Sequence, residues 1–285
     1  MLHTYGPGQV GLNGEARKHR HPADPSFGGG PEEFEHELDP GRTVALVAVS
    51  CKATRLRCRL LSHMEVELIL HCQHHEFVPS EILTVCVSKV SRRHQSMALT
   101  GRVVQTRVDL PALGLEPLTL CPLAPEGSAG EAALAFCSPV AQSILANAVS
   151  KAFEGHLRSL SPPRPGAAAK MARVAQYPLH DLLTQDLRCL DAYAYLGEFA
   201  LDHKRPEHAQ RYFDAGASIG LMSTEPFGDC RVPWRVRGNV GFLRCLRGQA
   251  LTAEALENPH AKSAALEHLS RFDPSLLSLW RDLFG

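Results

Sequence analysis

LRCLDAYAYLGEFALDHKRPEHAQRYFDAGASIG, residues 187–220, reads as one helix–turn–helix unit, and it decides the second half of the fold. Tyr193, Leu196, Gly197 and Ala200 recur at the spacing of one helix face, and Ala209, Phe213 and Gly216 at that of a second. Gly197 and Ala209 are small enough to let two antiparallel helices approach closely, while Tyr193, Leu196 and Phe213 are large enough to fill the seam. A hairpin of this size cannot bury its apolar face alone, so it requires neighbouring helices, and stacked hairpins leave a concave wall that holds partners.

From Met171 onward the pattern stays helical. One helix is expected over about 178–186, ahead of the pair at 187–220. A loop then carries Pro226, Phe227, Gly228, Pro233 and Trp234. A degenerate second pair follows in NVGFLRCLRGQALTAEAL and HAKSAALEHLSRF, stopped by Asp273-Pro274. The tail SLLSLWRDLF places Leu276, Leu279, Trp280 and Leu283 on one face, suited to capping the stack. Residues 124–170 read as an Ala/Pro-rich connector holding one helix, PVAQSILANAVSKAFEGHL, with Pro162, Pro163 and Pro165 forbidding helix across a hinge.

Residues 43–123 differ in kind. TVALVAVSC, EVELILHC, ILTVCVSKV, RVVQTRVDL and EPLTLCPL are short β-rich runs, and in VELILHC the apolar residues alternate with Glu67 and His71. They indicate a small antiparallel sheet or barrel of about five strands. Residues 1–42, rich in Gly, Pro, His and charge, lack any hydrophobic period and read as a disordered segment. The expected class is therefore α+β, a small antiparallel β domain followed by an all-α, tetratricopeptide-like helical-hairpin domain at 171–285.

Composition narrows the function. Thirty Lys and Arg balance thirty Asp and Glu, so no global field favours nucleic acid or a membrane. No run approaches the roughly 20 apolar residues that span a bilayer, and the N-terminus has no apolar signal core. Nine cysteines, an odd number without a C-x-x-C pair, indicate reduced thiols and a cytoplasmic location.

The order of a large residue, Leu-Gly, a small residue and phenylalanine in 187–220 is that of the tetratricopeptide skeleton. The helical half also resembles a family of bacterial tetratricopeptide-repeat proteins of undetermined role. The likeness runs through Asp186–Ala192, Ala194, Leu196 and Gly197, then Pro233, Trp234, Asn239, Phe242–Leu246 and Gly248. TGRVVQTRVDLPALGLEPLTL carries it into the β region through Gly101, Thr106, Arg107, Asp109, Ala112–Leu115, Pro117 and Leu118. The resemblance implies a cytoplasmic protein of both parts and says little about activity. Two departures stand out: the second repeat is shortened, and Gly238 occupies a position usually acidic.

Asp191, Glu198 and Asp202 fall on one face of the first helix of the pair, and such faces line the groove in stacked repeats. A negative groove would accept a protein or peptide partner with a Lys- or Arg-rich segment; alternatively Arg244 and Arg247 on the next first helix neutralise it. Trp234 is either part of a flap over a site or a plug between helix pairs. The expected contact residues are Asp191, Glu198, Asp202, Trp234 and Arg244.

Other constellations are weaker. His71, Cys72, His74 and His75 with Cys58 and Cys86 have zinc-binding donors without zinc-knuckle spacing, and no metal or cofactor is expected. Lys89, Arg92, Arg93, His94, Arg102 and Arg107 make the β region mildly basic, but Phe77 is its only aromatic, so stacking platforms for single strands are missing. No nucleophile elbow, phosphate loop or dinucleotide fingerprint occurs; Cys189 and Cys245 read as packing thiols. The leading expectation is a protein-binding adaptor. The alternative is a small-molecule-binding protein or enzyme with its site between the two domains.

Overall fold

Runs rich in Val, Leu and Ile, alternating with polar residues in part, build the N-terminal strands. β1 (Thr43–Lys52), β2 (Arg55–Leu60), β3 (His63–His71), β4 (Glu81–Arg93) and β5 (Ser96–Val108) close into a barrel of order β1-β2-β3-β5-β4. The computed structural model describes residues 35–52, 55–72, 77–93, 96–123, 133–161 and 167–276. β1 through β4 form a Greek key, and β5 inserts between β4 and β3. Most pairs are antiparallel as expected, but β3 and β5 run parallel through Leu68–His71 and Met97–Thr100. β2 was not among the expected runs. Its RLRCRL sequence sends Leu56, Cys58 and Leu60 inward and the arginines outward.

Two expected boundaries shift. The run EPLTLCPL is not a barrel strand: its Leu120–Pro122 segment, β6, pairs with β7 (Leu134–Phe136) in a separate two-stranded ribbon. The stretch expected to be structureless up to residue 42 is, from Glu35, a short 3₁₀ turn that places Leu38 in the barrel core. Residues 1–34 lie outside the described residues.

The helices form three hairpins rather than two. α1 (Gln142–Leu160), the helix expected within the connector, and α2 (Ala168–Gln185), expected only over about 178–186, pair as the first. α3 (Leu190–Asp202) with α4 (Pro206–Thr224), and α5 (Val240–Ala255) with α6 (Pro259–Phe272), make the two expected ones. α2 starts ten residues before the expected 178, because Pro178 lies inside it instead of opening it. The tail beyond Leu276 lies outside the described residues.

Glycines set the helix spacing. A Cβ on Gly197 would lie 2.5 Å from the Phe213 ring, and one on Gly248 would lie 2.3 Å from it, so the ring is held between two helices that offer no side chain at the contact. Gly155 meets Ala175 in the same way between α1 and α2. α5 packs on both α3 and α4, which stacks the second hairpin on the first.

β1 is buried on both faces. Leu46 points into the barrel, while Val47, with Val78 and Ile82, joins the helical core beside Leu179, Leu183 and Tyr193. Glu81, at the start of β4, accepts two bonds from the Arg211 guanidinium on α4, at 2.6 and 2.5 Å, and one from the Val78 N–H. Barrel and helices therefore share a continuous interface. No helix among the described residues is long and apolar enough to cross a membrane.

Candidate functional site

α1, α3 and α5 are the first helices of the three hairpins, and their N-terminal halves converge on one notch of about 170 Å³. α3 supplies its floor through Asp191 and Tyr195. Leu145 and Val149 of α1 form one wall, and Val240 and Arg244 of α5 the other. Arg237 and Ser138 stand at the rim.

The three carboxylates expected on this face are all there, with different fates. Glu198 takes a bidentate contact from Arg244, whose guanidinium also lies 3.8 Å from the centre of the Tyr195 ring. Arg244 is largely buried and held protonated by that carboxylate despite desolvation. Asp202 faces α1 and receives His156 Nε2 at 2.8 Å; His156 is also stacked on Phe199 at 4.0 Å. The Arg244–Glu198 contact is the internal neutralisation weighed as the alternative, whereas Asp202 is engaged by His156.

Asp191 differs from both. It lines the notch half-exposed, makes no salt bridge among the described residues, and has its own backbone N–H against the carboxylate. Burial pushes its carboxyl above the usual range, opposed by Arg244 and Arg237 nearby.

Trp234 is half-buried against the helical core and donates its backbone N–H to Asp273 Oδ2 at 2.6 Å. It does not line the notch, and its place is that of a plug at the loop. Phe227 in the same loop is exposed.

Several residues of the family-like motif have structural work. Asp186 caps the turn before α3 by accepting from the Arg188 N–H and guanidinium, and Arg188 reaches on to the Glu116 carbonyl. Asn239 donates to the Leu134 and Pro233 carbonyls and accepts from the Phe136 N–H, fastening the ribbon to the loop before α5. Gly238 lies against the same ribbon: a Cβ there would sit 2.2 Å from the Phe136 carbonyl oxygen, which leaves no room for a side chain.

A second, larger cavity of about 410 Å³ lies where the barrel meets the helices. Phe77 closes it from the barrel side, and Arg173, Arg205, His180, His203 and His208 line it from α2 to α4. No carboxylate is among its described lining residues. His208 is buried, and burial together with Arg205, Arg211 and His180 lowers its imidazole to about 3. Because the unfolded chain binds this proton near pH 6.5 and the folded chain does not, stability is full above that pH and falls as pH drops toward 3. Urea unfolding is expected to lose about 1 kcal/mol between pH 7 and 5.5 on this account. A His208→Gln variant should show a flatter profile; an unchanged slope would remove His208 as the cause.

Cys58 is inside the barrel, Cys72 leans to the core side, Cys86 is half-buried, and His71 is exposed on the opposite face. His74 and His75 lie outside the described residues, and no group of three metal-ligating side chains occurs among those described. On the barrel surface Arg57 and Arg59 are held by Glu67, and Arg107 by Asp109. Phe77 is buried and cannot act as a stacking platform. Burial raises the Cys189 thiol to about 12 and the Cys245 thiol well above its usual value, so both are packing groups.

Comparison with protein-family models, with characterised proteins and with solved structures found no match for this chain.

Proposed function

We propose that this protein is a tetratricopeptide-like adaptor that binds a partner protein in the notch shared by α1, α3 and α5. The observation that supports it most is Asp191: a half-buried carboxylate at the floor of the notch, outside any salt bridge among the described residues, while Glu198 and Asp202 beside it are occupied. Its partial desolvation is costly, as the raised carboxyl shows, and a donor from outside would offset that cost. The notch takes one side chain at a time, with Leu145 and Val240 as apolar walls and Asp191 as acceptor for a lysine, an arginine or a backbone N–H. Arg237 and Arg244 limit how basic the bound segment is, so one cationic residue within an otherwise apolar peptide fits best.

Asp191→Asn tests this directly. Its raised carboxyl pKa means that the ionised form destabilises the folded chain, since that contribution is lost as pH rises through the folded value. The variant should therefore melt above the parent while retaining at least tenfold less co-purifying partner, the loss of one charge-assisted bond. Equal retention by parent and variant would defeat the adaptor reading at this notch.

The cavity at the barrel–helix junction supports a second reading, a small-molecule site between the domains. Its cationic and imidazole lining suits a small anion. Under that reading inorganic pyrophosphate or a similar anion raises the melting temperature, and Arg205→Ala abolishes the rise.

A further inference from the structure

Two of the cysteines expected to be reduced thiols meet at the surface. Cys121 on β6 is exposed, Cys137 just beyond β7 is half-exposed, and their sulfur atoms lie 2.7 Å apart. The ribbon enforces this proximity. Leu120 pairs with Phe136 and Cys121 with Ala135, which makes Cys121 and Cys137 diagonal neighbours on adjacent strands. The Cys137 N–H is further tied to the Thr119 carbonyl at 2.9 Å. The ribbon itself is anchored through Asn239 and through the Leu134 N–H to the Arg231 carbonyl, so both thiols are carried on a fixed base.

We propose that Cys121 and Cys137 form a redox-active pair that closes reversibly to a disulfide in exchange with a low-molecular-weight disulfide. The neighbouring Cys121 sulfur raises the Cys137 thiol, which leaves the exposed Cys121 to react first. The Cys121 thiolate attacks one sulfur of the small disulfide, forming a mixed disulfide and releasing one small thiolate. The Cys137 thiolate then attacks Cys121 Sγ, forming the intramolecular bond and releasing the second small thiolate. The protein loses two electrons and two protons, the small disulfide gains the electrons, and two molecules of small thiol result.

The bond would close a ring from residue 121 to 137. Ser138, directly after that ring, lines the notch and leads into α1. Oxidation therefore fixes the segment that sets one rim of the notch, whether or not the notch is where a partner binds.

The test is made on the purified full chain, incubated with oxidised glutathione, alkylated without unfolding, digested and read by mass spectrometry. The expected product is a Cys121–Cys137 linked peptide two hydrogens lighter than the reduced pair, reversed by dithiothreitol. A Cys137→Ser variant, lacking the second thiol, should instead accumulate a glutathione adduct on Cys121. Oxidation should raise the melting temperature of the parent by about 5 °C and leave that of Cys137→Ser unchanged. Alkylation of both thiols after oxidation, or a Cys137→Ser variant that sheds glutathione as readily as the parent, would overturn the proposal.

Discussion

Phe213→Ala is expected to lower stability by about 3–5 kcal/mol, the range for removing a large aromatic side chain from a core. The ring is fully buried at the meeting of α3, α4 and α5. The residues facing it, Gly197 and Gly248, have no side chains that could swing into the vacated space, so the cavity persists and the upper part of the range applies. Gly248→Ala attacks the same contact from the other side: the added carbon would lie 2.3 Å from the ring, an overpacking cost of about 1–3 kcal/mol. The two effects should not add, because alanine at 248 partly fills what Phe213→Ala empties. Urea unfolding followed by circular dichroism measures all three variants. A single-variant loss below about 1.5 kcal/mol for Phe213→Ala would mean that this ring does not hold the hairpins together.

The second large effect is expected at Glu81, where Glu81→Gln should cost about 2–3 kcal/mol. Glu81 is almost fully buried and is the acceptor for Arg211 and for the Val78 N–H. Breaking a fully buried pair costs about 3–5 kcal/mol, but about a third of the Arg211 side chain is exposed, and water screens part of its charge. Glutamine keeps the shape and the Val78 bond, so the loss reports the charge. Glu81→Gln combined with Arg211→Met should recover part of the stability in a double-mutant cycle. Additive losses would show that the two residues do not act as a pair across the barrel–helix interface.

The two central hairpins were legible because their information is local: Tyr193, Leu196, Gly197 and Phe213 fix the spacing and closeness of α3 and α4 within one short stretch. The two helices of the first hairpin were expected singly, but their pairing and the early start of α2 were not legible. α1 is rich in Ala and Ser, which resembles a connector, and Pro178 looks like a helix start although α2 carries it internally. β2 alternates perfectly, but arginine at every outer position masks a strand whose inner face is fully apolar. Of the candidate site, the shared face of Asp191, Glu198 and Asp202 was readable from helical periodicity. Which of them stays available was not, because Arg244 and His156 reach it from other helices. The meeting of Cys121 with Cys137 depends on the ribbon's register, which no short-range pattern encodes.

The barrel's closure limits how chains of this protein meet one another. An open sheet ends in a row of unsatisfied amides on which another molecule's strand can grow. Here β1 and β4 close the circle, and β3 and β5 seal the remaining gap over Leu68–His71. Past that seam β5 carries Arg102 and Arg107, charges that discourage an incoming strand. Cross-chain sheet growth on the barrel is thus disfavoured for as long as the seam holds.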